Sequence, residues 1–365
     1  MTPTRVRSRS ATIGVTALIV ALVGLLVITF LPLPYVIQQP GPVYNTLGEV
    51  EDKDGAKTPL IAVSGAQTYE TGGALDLTTV QVVGNRERTP SWMELISAWL
   101  DPSRAVVPLD AVFPQGVTTE QRNQQNQVLM VNSQQEATAA ALRELGYEVP
   151  VTIEVDAVTD DGAAKGILQR DDRIVAVDGT AVADVDALRA LIKDSAGAPL
   201  SLTIERDGAT QQVTVTPKQQ EVDGEATWLL GVTLRHEYSF PIDVRLRLDD
   251  VGGPSAGMMF ALGIIDVLTP GELNGGQQVA GTGTIAADGA VGPIGGIRQK
   301  LYGARNAGAD YFLAPGANCD EVVGHVPDGL TVIRTDKLSD SLTALKTIAD
   351  HGDVGALPTC AASRG

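Results

Sequence analysis

The run Gly252-Gly253-Pro254-Ser255-Ala256-Gly257 leads directly into residues 256–268 (AGMMFALGIIDVL), a segment of helical character and almost wholly apolar composition. A helix apolar on all sides belongs in a core, so Ser255 stands where the chain enters one. Pro254 suits a first helical turn, because the N–H it lacks would have no intrahelical partner there. Unpaired amides at a helix start can stabilise a developing oxyanion. Gly253, Pro254 and Ala256 are the backbone positions that flank the serine. Glycines on either side let another backbone approach closely. Taken alone, the run also reads as an ordinary glycine-rich turn into a buried helix.

A second segment gives the serine a chemical partner. Residues 296–307 read as a helix with Gly308 as its stop signal. At about 100° per residue from Ile297, Leu301 falls near 40°, Ala304 near −20° and Lys300 near −60°. Lys300 therefore lies on the edge of the apolar stripe. Burial disfavours an ammonium and lowers its pKa, and a neutral amine can take a serine proton. The alternative is a lysine with its stem on the core and its head in water. Gly253-x-Ser255-x-Gly257 also fits a nucleophile elbow, which requires an acid and a histidine later in the chain. His236 precedes the serine, and His325 and His351 lie in polar surroundings. The serine–lysine reading is favoured over the elbow.

The stretch 240–315 resembles the proteolytic domain of Lon-type proteases. The matching pieces are GGPSAG (252–257), VAGTGTIAADGAVGPIGGIRQK (279–300) and LYGARNAGADYFLAP (301–315). The resemblance implies that Ser255 is the nucleophile, Lys300 the general base and Thr282 a hydrogen-bonding partner of the lysine. Two positions depart from the family pattern: Gly252 replaces an acidic residue, and Thr284 replaces a common glutamate. The implied fold is a Lon-type α/β proteolytic domain over residues 225–350, followed by a tail over 351–365. The implied assembly is a homo-oligomeric ring. Residues 240–248 form a candidate substrate strand, with Phe240, Ile242 and Val244 on it.

The N-terminus carries Arg5, Arg7 and Arg9, then residues 11–31 without a charge. About 20 apolar residues span a bilayer, and no small-x-small cleavage site follows. A transmembrane helix over 11–31 is expected. Residues 1–10 would then lie in the cytoplasm, and the body outside a plasma membrane to which it stays anchored. The formal net charge is −17, and the three N-terminal arginines leave −20 on the rest. An acidic body excludes a nucleic-acid partner. Cys319 and Cys360 are the two cysteines, and their spacing leaves a disulfide and free thiols both open. No spacing suggests a metal, and no cofactor is expected.

The remaining expectations concern organisation. Residues 35–149 form an exported α/β region of unknown role, with strands near 60–63 and 74–83. A capping box at Ser91–Glu94 starts a short helix. Its Trp92, Leu95, Ile96 and Trp99 are expected to contact the core, since no basic face accompanies them. Residues 118–145 are glutamine-rich and mostly helical, with a second capping box at Ser133–Glu136 and a stop at Gly146. Residues 150–218 alternate as strands around Asp178-Gly179 and Asp207-Gly208. This unit resembles a PDZ domain of the bacterial protease type, with Asp171 where a glycine is usual. The resemblance implies a peptide ligand added to a sheet edge. No Gly-x-x-x-x-Gly-Lys-Ser/Thr occurs. The fold class expected is thus α+β and multidomain: a transmembrane helix, a PDZ-like β-rich domain and a Lon-type α/β domain. The function expected is an ATP-independent serine endopeptidase acting on extracytoplasmic protein substrates. The rivals are a non-catalytic scaffold and a Ser-Lys peptidase of membrane or signal peptides.

Overall fold

The computed structural model describes residues 13–20, 22, 33–51, 55–182, 184–222, 225–248 and 251–360. In chain order the main elements begin with β1 (Tyr35–Asn45), β2 (Ile61–Ser64), β3 (Ala74–Val83), α1 (Trp92–Trp99), β4 (Ala105–Pro108) and α2 (Thr119–Glu144). Then come β5 (Val151–Val158), β6 (Arg173–Val177), α3 (Val185–Asp194), β7 (Leu200–Arg206), β8 (Ala209–Val215), β9 (Val232–Tyr238) and β10 (Asp243–Leu246). The last are α4 (Gly257–Leu268), β11 (Gln278–Gly281), α5 (Ile297–Asn306), β12 (Tyr311–Pro315), β13 (Thr331–Thr335) and α6 (Leu338–Ala349).

The first sheet has the order β13-β12-β11-β3-β1-β4. Strands β3, β11, β12 and β13 are mutually parallel, while β1 and β4 run antiparallel to their neighbours. Leu75 and Leu77 of β3 pack with Met258, Met259, Phe260 and Leu262 of α4. Ala280, Phe312 and Ala314 pack with Ile297, Leu301 and Ala304 of α5 in a separate cluster. Helices α4 and α5 thus bury the sheet between two layers. The sheet aligns Gly281, after which Thr282 follows, with Leu77 of β3 and Leu313 of β12.

Helix α2 starts at a capping box of Thr118 and Gln121. Ser133 and Glu136, which resemble a second capping box, lie inside that single continuous helix. Their side chains point to other elements instead: Ser133 donates to Pro254 O at 2.9 Å, and Glu136 accepts from Tyr238 at 3.0 Å. Helix α1 buries Leu95 and Ala98 against Ile37, Val83 and Val106. Trp99 is 80% exposed and Ile96 47%. The expected core contact therefore holds for one side of this two-turn helix only.

The second sheet is antiparallel throughout, in the order β8-β7-β6-β5-β9. Leu188 and Ile192 of α3 cover Ile153, Ile174, Leu202 and Ile204. Asp184 caps α3 by accepting from Ala187 N–H at 2.7 Å. Asp178-Gly179 and Asp207-Gly208 all have positive φ, as type I′ turns require. Asp171 adopts φ +68°. The sheet does not end at residue 218: β9, residues 232–238, pairs along β5, with Tyr238 opposite Val151. This unit is inserted between α2 and β10.

The expected transmembrane helix is overturned. Among the described residues no helix is long and apolar enough to cross a membrane. Within 11–31, residues 13–20 and 22 are helical and the others lie outside the described residues. The single-pass fold and the plasma-membrane location drawn from it are not supported. Arg5, Arg7 and Arg9 lie outside the described residues.

Cys319 and Cys360 form a disulfide. It ties the C-terminal segment to the turn after β12, a cross-link worth about 4 kcal/mol in the chain-entropy model.

Candidate active site

Ser255 lies two residues before α4, after a bend at which Gly253 takes φ +91°, a conformation costly for residues with a Cβ. Ala256 caps the helix without a side-chain hydrogen bond. Position 257 admits only glycine at this spacing. A Cβ there would lie 2.8 Å from Ser133 Oγ and 2.9 Å from Ile285 Cγ2. Helices α2 and α4 can therefore meet closely beside the serine.

Lys300 arrives from the opposite layer, on α5, whose N-cap Gly296 is left-handed at φ +69°. Its Nζ is 2.8 Å from Ser255 Oγ and 2.8 Å from Thr282 Oγ1. Lys300 is 2% exposed and Thr282 is fully buried. Desolvation pushes the lysine down to about 7, because burial penalises its charged form. A substantial fraction of such an amine is neutral near pH 7. Thr282 has a second task. Its Oγ1 accepts from the lysine and donates to Ser255 C=O at 2.9 Å, so one hydroxyl links the amine and the Ser255 backbone.

The loop around the serine is pinned from two sides. Gly253 N–H donates to Asn126 O of α2 at 2.9 Å, and Ser133 Oγ donates to Pro254 O at 2.9 Å. Ser255 C=O also accepts from Gly283 N–H at 3.0 Å. Of the three backbone positions singled out in the sequence, Gly253 has its N–H engaged and Pro254 has none. Ala256 N–H has no acceptor among the described residues, and neither does Ser255 N–H.

A groove of about 420 Å³ opens over the pair. Tyr44, Thr79 and Gln81 face Ser255, Gly295 and Lys300 across it. Sequence reasoning missed the first three. They come from β1 and β3, and it is β3, about 200 residues before its partner β11, that brings them to the site, so no local signal marks them. Phe240, Ile242 and Val244 are not among the lining residues of this groove. Ile242 is 7% exposed, Val244 pairs with Val63 of β2, and all three line a separate hollow with Ser64 and Gly65. Among the described residues no cluster of His, Cys, Asp or Glu could hold a metal.

Comparison with known proteins agrees with the two-unit architecture. Residues 250–347 match the Lon protease (S16) C-terminal proteolytic domain, and residues 116–216 match the PDZ domain. Lon protease 2 of Herpetosiphon aurantiacus is 36% identical over 108 residues, which is 28% of this chain and 13% of that protein. Lon protease 1 of Bacillus subtilis is 36% identical over 93 residues, 25% of this chain and 12% of the relative. Regulator of sigma-E protease RseP of Salmonella typhimurium is 29% identical over 208 residues, 55% of this chain and 42% of that protein. The chain thus spans less than half the length of these relatives. The solved PDZ domain of an SdrC-like protein from Listeria monocytogenes is 23% identical, with a TM-score of 0.21. It covers 22% of this chain and 85% of its own. The chain contains a Lon-type proteolytic domain, which is a serine peptidase domain, and a PDZ domain.

Proposed function

We propose that this chain, which carries a Lon-type proteolytic domain and a PDZ domain, is a serine endopeptidase whose base is Lys300 and whose nucleophile is Ser255. The observation that carries the reading is the buried Lys300 Nζ, 2.8 Å from Ser255 Oγ and 2.8 Å from Thr282 Oγ1. The lone pair of the neutral amine takes the Ser255 proton as Oγ attacks the scissile carbonyl. Free N–H groups at the start of α4 receive the oxyanion. The lysine ammonium then gives its proton to the leaving amine, and the acyl-enzyme remains. Water, deprotonated by the same amine, hydrolyses the ester and regenerates Ser255. Thr282 holds the amine in direction by accepting from it.

The groove suits an extended peptide laid between β1/β3 and the Ser255 loop. The PDZ unit supports a protein substrate, captured by strand addition at a sheet edge and held for cleavage. This chain contains no nucleotide-binding loop, so its peptide hydrolysis proceeds without ATP. The test is digestion of an unfolded protein by the wild type and by Ser255→Ala, with and without ATP. Wild-type cleavage that ATP leaves unchanged, and that Ser255→Ala lacks, is expected. Equal cleavage by Ser255→Ala overturns the assignment.

A further inference from the structure

Helix α2 has no chemistry of its own in the reaction just described, yet it touches the nucleophile loop at two peptide groups, those on either side of the 253–254 peptide. Asn126 O accepts from Gly253 N–H, and Ser133 Oγ donates to Pro254 C=O. Ser133 is 5% exposed, and its hydroxyl lies where a Cβ on residue 257 would have to go. A serine inside a helix ordinarily bonds back to its own backbone or to water. This one is spent on another element, 121 residues away in sequence.

The consequence follows from peptide geometry. No peptide bond among the described residues is cis, and in a trans peptide the C=O and N–H of one unit point in opposite directions. Pro254 C=O and Ser255 N–H belong to one unit. Holding that carbonyl against α2 turns Ser255 N–H away from α2. The next unit is held likewise: Ser255 C=O is fixed by Thr282 Oγ1 and Gly283 N–H, which turns Ala256 N–H away from β11. Two adjacent N–H groups are thereby aimed by their own carbonyls, and neither has a protein acceptor among the described residues.

We propose that Ser133 is a positioning residue for acyl transfer at Ser255: by holding Pro254 C=O it aims the Ser255 N–H that, with Ala256 N–H, binds the oxyanion. This rests on the peptidase reading above. Ser133 touches neither substrate nor the reacting atoms. Its contribution appears where the oxyanion forms and not where the substrate ground state binds. Without the Ser133 hydroxyl the Pro254–Ser255 peptide can rock, and a loosely aimed donor stabilises the oxyanion less.

The experiment compares wild type, Ser133→Ala, Ser133→Thr and Ser255→Ala on one short peptide. It also measures inhibition by a peptide aldehyde of the same sequence, which forms a tetrahedral adduct on serine. For Ser133→Ala, kcat is expected to fall about tenfold or more with KM changed less than about twofold. Aldehyde affinity should fall in parallel, with the midpoint of the pH–rate curve unmoved. Ser133→Thr, which keeps the hydroxyl, should recover most of the rate. Unchanged kcat and aldehyde affinity in Ser133→Ala overturn the proposal. So does a loss in kcat matched by lost thermal stability and restored by lowering the temperature, since that is a general packing effect. If Thr fails to rescue while its unfolding temperature matches the wild type, the hydroxyl is not the operative group and the proposal also fails. An inactive wild type, or a Ser255→Ala variant as active as wild type, would instead remove the peptidase reading on which it rests.

Discussion

Lys300 is the residue at which folding and chemistry conflict. A buried ammonium is costly, and in the folded chain burial pushes the lysine down to about 7, against about 10.4 in an unfolded chain. Below pH 7 both states hold the proton, and the folded state bears the full cost of the buried charge. Between about 7 and 10.4 the unfolded state binds more protons, so stability rises with pH across that window. Lys300→Met lacks this cost. The variant should therefore unfold at a higher temperature than wild type at pH 6, with the gap narrowing by pH 9. A gap independent of pH, read by thermal unfolding at both pH values, would contradict the burial argument. Ser255 and Lys300 were legible in their local runs, and Thr282 through the resemblance to Lon-type proteases. The free N–H of Ser255 and the role of Ser133 were not, since both depend on carbonyl directions set by partners far along the chain.

At the scale of elements, the site is a meeting of α2, α4, β11 and α5. Position 257 sets how closely α2 and α4 pack, because a Cβ would press on Ser133 and Ile285. Gly257→Ala should destabilise by about 1–3 kcal/mol through overpacking and should also lower kcat, because Ser133 is the side chain that must yield. Denaturant unfolding and peptide kinetics on the same preparation check this; full stability and full activity together would show that the contact is slack. The period of about 3.6 in residues 296–307 placed Lys300 on the edge of an apolar stripe, and α5 buries Ile297, Leu301 and Ala304 beside it. The serine and glutamate at 133 and 136 misled as a capping box because the same two residue types serve inter-element bonds here. The membrane helix expected over 11–31 is overturned on a different ground: among the described residues no helix is long and apolar enough to cross a membrane.

For the whole molecule, the PDZ sheet is inserted into the body that holds the active site. Val151 pairs with Tyr238 across β5 and β9, and Ser239 N–H donates to Pro150 O at 2.9 Å. The ends of the insertion therefore lie side by side. Joining Val151 to Tyr238 through a short glycine linker removes the sheet without pulling α2 from β10. Such a variant should cleave short peptides near the wild-type rate and lose activity on long unfolded chains, because the proposed function puts capture and chemistry in separate units. Equal loss on both substrates would mean that the sheet is part of the catalytic body. Little of this arrangement was readable in advance. Strands β1, β3 and β4 complete the sheet of β11–β13, but β3 and β11 are about 200 residues apart, and a parallel pairing at that distance leaves no local pattern.

The central claim, that Lys300 in its neutral form activates Ser255, is tested most directly by the rate at which a fluorophosphonate probe labels Ser255 as a function of pH. In the wild type the rate should rise through a midpoint near 7, where the buried amine loses its proton. In Lys300→Ala and Lys300→Arg it should be slower by about a hundredfold or more and show no midpoint there. Labelling of Lys300→Ala at the wild-type rate, with the same midpoint, would contradict the account.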